Sequence, residues 1–272
     1  MIALSKRFDV DLLHLMPILA SLLFGLLCTF SISMSSMEIY SITPFPEGVS
    51  GSVGNAFYFV ILSAVGALLV YLLLKRKSRT LITLITGFAL TASVFTLSFV
   101  YLSAAFSFIP HIGILMLSIL IAALADFAIF RFGGNACNVA VIFLGGALGS
   151  FLGVVIPTLS ALLILVFLAV YDTFAVYYGP VGKIARIGLD QLRGLTLSFR
   201  NIQIGLGDLT FYSMLSGLML FNFGVVSCFV SVCGILTGCL LAFTMLDKLG
   251  IFPGLPLPIF LGIVAGLLAW QL

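Results

Sequence analysis

Long apolar runs follow one another along almost the whole chain. Nine such runs are separated by short polar breaks, and most approach the roughly 20 apolar residues that a helix needs to cross a bilayer. We predict membrane-spanning helices at about residues 12–32, 55–74, 80–104, 110–130, 136–156, 158–178, 204–222, 225–246 and 257–271. Charged residues make up only 8% of the chain, against about 25% in a soluble domain. The sequence therefore predicts an all-α, multi-pass membrane protein with a single domain over residues 1–272, and argues against a secreted or nucleic-acid-binding protein.

The basic residues give the predicted helices a direction. All twelve Lys and Arg lie before the first run or in the breaks between runs 2 and 3, 4 and 5, 6 and 7, and 8 and 9. If every run crosses the membrane, these breaks share one side. Cytoplasmic loops are enriched in Lys and Arg, so we predict a cytoplasmic N-terminus and an outside C-terminus. The break at 179–203 becomes a cytoplasmic loop and the break at 33–54 an outside loop.

Three acidic residues fall inside predicted spans: Asp126, Asp172 and Asp208. A carboxylate there costs at least about 2.5 to 3.5 kcal/mol on the insertion scale, which marks it as a functional candidate. Asp172 and Asp208 lie roughly 9 and 6 Å inside the predicted cytoplasmic ends of runs 6 and 7, at 1.5 Å per residue. At one depth they can share a proton and activate a water molecule. Asp126 is about one turn from Arg131, and we predict a structural ion pair there.

The same two acids would also suit transport. Acidic residues inside transporters line proton or cation pathways. The two acids by themselves therefore leave two alternatives: a proton- or cation-coupled transporter, or an ion leak channel.

Glycine and proline interrupt the predicted helices near these acids. Gly205 and Gly207, on either side of Leu206, leave two positions without side chains on the approach to Asp208, so another backbone can come close. Run 9 is preceded by the sequence PGLPLP at 253–258, in which each proline removes a donor and restricts the residue before it. We predict that 253–258 is not a regular helix, and such backbone is tolerated at membrane depth only against protein or a wet cavity.

Other notable residues are predicted to serve packing. Gly149 and Gly153 have the spacing of a close helix–helix contact. The five cysteines lack a CxxC spacing, and the two histidines do not form an HExxH motif, so no metal site is expected.

Three short motifs resemble those of the presenilin and signal peptide peptidase family of intramembrane aspartyl proteases. They are Tyr171-Asp172 in run 6, Gly205-Leu206-Gly207-Asp208 in run 7 and Pro253-Gly254-Leu255 ahead of run 9, which resemble the family's YD, GxGD and PAL motifs in the family's order. The resemblance implies that Asp172 and Asp208 are catalytic. It also implies that the active site is shaped by Tyr171, Gly205, Leu206, Gly207, Pro253, Gly254 and Leu255. The chain looks most like a compact microbial, archaeal presenilin homologue.

The resemblance further implies what the protein acts on. Its substrates would be single-pass transmembrane helices that enter from the lipid, with no cofactor, metal or nucleic acid involved. It would be an integral, multi-pass protein of the cell membrane if the source is prokaryotic; no obligate partner subunit is implied, and a homo-oligomer is left open. Gly254 stands where the family has alanine, so we expect Gly254→Ala to preserve or raise activity.

Overall fold

A computed structural model of the protein describes residues 2–4, 11–35, 39–76, 79–106, 108–179 and 194–271. Its helices are α1 (Met16–Met34), α2 (Val49–Lys75), α3 (Arg79–Ala105), α4 (His111–Asp126), α5 (Gly134–Val155), α6 (Thr158–Tyr177), α7 (Leu206–Leu249) and α8 (Pro256–Trp270). A 3₁₀ turn leads into α1, and α4 continues as a π-helical turn, Phe127–Phe132. In the described part of the chain, seven helical stretches are long and apolar enough to cross a membrane, and α8 is a shorter apolar helix.

Predicted runs 7 and 8 fall on one helical element that doubles back at Gly224. α7 is 44 residues long, and Gly224 leaves the helical region with φ 89° and ψ 178°, which suits glycine because it lacks a Cβ. The two parts of α7 meet the same residue of α8. A Cβ built on Gly262 would lie 2.7 Å from both Leu215 and Ile235. The halves of α7 before and after Gly224 therefore run antiparallel.

The core surrounds the first half of α7. Leu209, Tyr212 and Leu215 on this half are fully enclosed. α5 packs directly on its backbone, because a Cβ on Gly149 would lie 2.8 Å from the Met214 nitrogen. The predicted close contact of the small residues in α5 is confirmed. It fixes the helix that carries Asp208 at the centre of the bundle.

A small antiparallel sheet lies at one end of the bundle, where the all-α prediction had no strands. Its strands are β1 (Ile2–Leu4), β2 (Thr196–Phe199), β3 (Ile202–Gly205) and β4 (Ile251–Phe252), in the order β2-β3-β1-β4. β1 pairs antiparallel with β3 on one side and with β4 on the other. Strands of two to four residues are too short for an alternating pattern to reveal them.

Contacts at the two ends of the bundle join segments that the charge pattern predicts to lie on the same side of the membrane. At one end Arg200 Nη1 lies 2.9 Å from Asp11 Oδ2. At the other, Asn55 Nδ2 donates to Ser160 Oγ over 3.1 Å. Each pair joins segments that were predicted to share a side. Residues 180–193 of the predicted cytoplasmic loop, and the basic residues Lys6, Arg7 and Lys77, lie outside the described residues.

The predicted ion pair of Asp126 is wrong. Thr91 Oγ1, on the neighbouring helix α3, donates to Asp126 Oδ2 over 2.7 Å. The other carboxyl oxygen is buried without a hydrogen-bond partner among the described residues. Arg131 is exposed, and the described residues contain no ion pair between it and Asp126. A hydroxyl from another helix, which sequence proximity does not reveal, takes the place predicted for the arginine.

Candidate active site

A short buried segment of non-helical chain, 253–255, precedes α8. The sequence predicted a longer break, 253–258, but α8 already begins at Pro256. Pro256 and Pro258 lie in the first turn, where backbone N–H groups have no partner within the helix and proline is well tolerated. The irregular backbone is therefore confined to Pro253, Gly254 and Leu255.

Asp172 reaches this segment from α6. Its side chain is only 8% exposed, although α6 ends five residues later at Tyr177. The backbone N–H of Leu255 donates to Asp172 Oδ2 over 3.1 Å. A buried carboxylate needs such donors, and here a helix-breaking backbone supplies one.

Asp208 reaches the segment from a second helix, in the first turn of α7. β3 ends at Gly205, whose extended backbone (φ −73°, ψ 144°) forms the N-cap of α7. The next N–H, of Leu206, donates to the carbonyl of Leu195 over 2.8 Å. Asp208 is 2% exposed. A Cβ added to Gly254 would lie 2.8 to 2.9 Å from its carboxyl atoms, so the carboxyl group rests against the Gly254 backbone.

The segment thus brings together two acids from different helices. Asp208 contacts Gly254, and Asp172 accepts a hydrogen bond from the adjacent Leu255. Both carboxyl groups therefore contact residues that are joined by a single peptide bond. Two acids held like this cannot both ionise easily, so one can act as a base while the other holds a proton.

Tyr212 belongs to the same site, although sequence reasoning did not single it out. It lies one turn beyond Asp208 on α7, is fully enclosed, and donates its hydroxyl to the Gly254 carbonyl over 2.7 Å. The thiol of Cys239, from the second half of α7, borders the same hydroxyl. The spacing of four residues between Asp208 and Tyr212 was the available signal, since such residues share a helix face.

The remaining predicted site residues are Gly207, Leu206 and Tyr171. Gly207 is exposed, and a Cβ there would meet only Phe211, at 3.8 Å. Leu206 holds the start of α7 to Leu195 through its backbone. Tyr171 is half-buried in α6, and within the described chain no hydrogen bond joins it to the acids or to segment 253–255.

A cavity of about 510 Å³ lies between α6 and α8. Its lining is almost entirely apolar and includes Ala169 and Thr173 of α6 and Pro256 and Phe260 of α8. Thr173 follows Asp172 in sequence, and Pro256 follows Leu255. The cavity therefore reaches the residue that follows Asp172 and the residue that follows segment 253–255.

Residues 16–184, more than half of the chain, match the model of a protein family described as signal-peptide peptidase, presenilin aspartyl protease. The chain belongs to this family. It is an integral, multi-pass membrane protein and an intramembrane aspartyl protease, as the three motifs implied. The matched residues include Asp172, whereas Asp208 and 253–255 lie beyond them.

Solved structures extend the similarity over the whole protease. A presenilin family intramembrane aspartate protease in space group C222 is 18% identical, with a TM-score of 0.70 over 96% of this chain and 98% of that one. A presenilin family intramembrane aspartate protease in space group P2 is 21% identical, with a TM-score of 0.64 over 94% and 97%. At these identities the similarity concerns the fold. No curated protein sequence matches the chain.

Proposed function

We propose that Asp172 and Asp208 are the catalytic pair of this protease and that it cleaves single-pass transmembrane helices within the bilayer. The observation that carries the proposal is that acids from two helices contact adjacent residues of one non-helical segment. Buried acids inside membrane helices are costly and mark function by default. Two acids brought together on one buried, non-helical segment can supply the base and the acid that peptide hydrolysis needs.

The two acids would exchange roles during hydrolysis. The ionised acid takes a proton from water, and the oxygen of that water attacks the carbonyl carbon of the substrate. The protonated acid gives its proton to the carbonyl oxygen, which yields a tetrahedral diol. Return of one hydroxyl proton to the second acid and transfer of the first acid's proton to the amide nitrogen then break the C–N bond, and both acids recover their original states.

The substrate would reach the acids from the lipid. A transmembrane helix hides its scissile amide behind its own hydrogen bonds, so a short stretch must unwind before water can attack. The apolar cavity between α6 and α8, which includes Thr173 beside Asp172 and Pro256 beside segment 253–255, would accommodate an apolar chain. The unwound stretch would then add as a strand to the backbone near 253–255.

The proposed arrangement in the membrane has nine crossings in one domain over residues 1–272. α7 crosses twice, because its two halves are antiparallel around Gly224, and α8 supplies the last crossing. The N-terminus would lie in the cytoplasm, the orientation that the basic loops favour. Both acids then lie near the cytoplasmic end of the bundle.

Cleavage of a tagged transmembrane peptide by the purified protein in detergent tests the proposed pair. Asp172→Asn and Asp208→Asn should each reduce cleavage by at least about 100-fold, because neither variant can pass a proton at that position. Asp126→Asn is the matched control, since Asp126 is also an acid inside the bundle but bonds to Thr91. Substantial cleavage by either dyad variant would refute the assignment.

A further inference from the structure

One peptide unit, between Gly254 and Leu255, connects the two helices that carry the acids. Its carbonyl accepts a hydrogen bond from Tyr212 on α7 over 2.7 Å, and its N–H donates to Asp172 on α6 over 3.1 Å. A peptide unit is planar and rigid. The direction of the N–H is therefore set by whatever holds the carbonyl.

From this geometry we propose that Tyr212 is a positioning residue for catalysis, an inference that rests on the proposed function. Tyr212 fixes the carbonyl of Gly254, which points the Leu255 N–H at Asp172 and keeps the Gly254 backbone against Asp208. Asp208 and Tyr212 lie on the same helix. A movement of α7 therefore displaces Asp208 together with the hydroxyl group that binds the Gly254 carbonyl. Tyr212 does not touch the reacting atoms.

Tyr212→Phe tests this role because it removes only the hydroxyl. We expect kcat to fall about tenfold or more, since small misplacements of reacting groups are costly, while KM stays within about twofold. Tyr101→Phe is the control: Tyr101 likewise donates to a helix carbonyl, that of Ala147, over 2.7 Å, but on α3 and away from the acids. Its kcat should not change, although both variants should lose similar thermal stability.

Leu255→Pro provides a second variant that removes the N–H itself. Leu255 has a φ of −79°, which proline can adopt, so the same loss of kcat at unchanged KM is expected. A Tyr212→Phe enzyme with wild-type kcat, or one that loses activity only in proportion to unfolded protein, would overturn the positioning role. Cleavage by Asp208→Asn would instead overturn the proposed function.

The sheet carries a second, independent inference, because β1 lies between two strands that lead into the active site. β3 runs directly into Leu206 and Asp208, and β4 runs directly into Pro253. Ile2 pairs with Ile204 on one side and with Phe252 on the other. Without β1, the edges of β3 and β4 would present unpaired backbone groups to an extended chain.

We infer that β1 occupies the place of the unwound substrate strand and competes with it, again on the basis of the proposed function. An unwound substrate needs the same backbone partners that β1 now uses. β1 is only three residues long, so few hydrogen bonds hold it and it can leave the slot. Such an internal competitor raises the apparent KM and leaves kcat unchanged.

Ala3→Pro tests the competition because Ala3 is the middle residue of β1 and proline removes one of its ladder donors. We expect KM to fall severalfold at constant kcat. Ala3→Val is the matched control, since it keeps the N–H and favours a strand, and it should not lower KM. An unchanged or higher KM in Ala3→Pro, or a loss of kcat, would show that β1 serves the architecture of the sheet instead.

A reversible lock on β1 gives a complementary measurement. Ala3 pairs with Gln203 of β3, and cysteines at these two positions can be joined by oxidation. The oxidised Ala3→Cys/Gln203→Cys enzyme should lose cleavage and recover it on reduction, while each single variant should not respond. A locked enzyme that cleaves at the reduced rate would overturn the inference. An Asp208→Asn enzyme that cleaves would overturn the proposed function but not the location of β1.

Discussion

At the scale of single residues, Gly254 shows how tightly the site is packed. Its missing side chain lets the backbone rest on the Asp208 carboxyl group, where a Cβ would lie 2.8 to 2.9 Å from three atoms. The motif alone predicted that alanine, the family residue, would be harmless or favourable. The contact instead indicates that alanine would push the Asp208 carboxyl group away from its present position.

We therefore expect Gly254→Ala to lower kcat severalfold, because the Asp208 carboxyl group must shift by several tenths of an ångström to accept the methyl group. Gly66→Ala is the control for loss of a glycine, since nothing lies within 4 Å of a Cβ at Gly66. The measurement is kcat for a tagged transmembrane peptide, with thermal unfolding recorded in parallel. Wild-type or higher activity in Gly254→Ala would restore the motif-based expectation.

The proposed catalytic pair should also set the pH dependence of cleavage. Asp172 and Asp208 contact adjacent residues of segment 253–255, and the proposed mechanism gives them opposite protonation states. Cleavage needs one protonated and one ionised acid. It should fall at low pH, when both are protonated, and at high pH, when both are charged.

A pH series of kcat/KM tests this dependence. The affinity of a transition-state mimic that carries a hydroxyl in place of the attacked carbonyl should follow the same bell-shaped curve. A transporter would show pH-dependent flux without peptide fragments. A profile with a single slope, or a mimic affinity independent of pH, would contradict a shared-proton pair.

At the scale of helices, α5 packs closely against the half of α7 that carries Asp208. Gly149 lies so close to α7 that a Cβ would come within 2.8 Å of the Met214 nitrogen. Met214 is six residues after Asp208 on the same helix. The small residues of α5 thus set where the first half of α7, and hence Asp208, lies in the bundle.

Gly149→Val should displace α7, cost about 1 to 3 kcal/mol of stability as overpacking usually does, and reduce cleavage with it. Gly66→Val places the same side chain on α2 in open space and should leave both the stability and the cleavage rate unchanged. Thermal unfolding and peptide cleavage measured on the two variants decide the point. If Gly149→Val were as stable and active as Gly66→Val, the close helix contact would not position the site.

At the scale of the whole molecule, the sheet and the acids lie at the same end of the bundle. β3 leads into α7 close to Asp208, and β4 leads into segment 253–255. The predicted orientation puts this end in the cytoplasm. We therefore expect the substrate helix to unwind and to be cleaved near the cytoplasmic face.

Accessibility of single cysteines in a background without the native cysteines tests this orientation. Ser50→Cys, in the first turn of α2, and Ser198→Cys, in β2, are matched substitutions at exposed positions at the two ends of the bundle. An impermeant thiol reagent should modify position 50 only from outside intact cells and position 198 only from the cytoplasmic side. The reverse labelling would turn the bundle over.

The sequence alone was sufficient to predict the helices and to single out both acids as candidates. Apolar runs must form helices in a bilayer, because no water is present to satisfy their backbone, and every predicted run corresponds to helix in the structure. Asp172 and Asp208 were recognisable because a carboxylate inside such a run is costly. These inferences depend on local composition, so no knowledge of spatial neighbours was required.

Only the tertiary structure decided which groups meet. Thr91 rather than Arg131 bonds to Asp126, Tyr212 holds the Gly254 carbonyl, and β1 fills the gap between β3 and β4. Each of these contacts joins residues that are separated by tens to hundreds of positions along the chain. The partner of a polar group in the membrane is set by how the helices pack around it, and hydropathy carries no information about that packing.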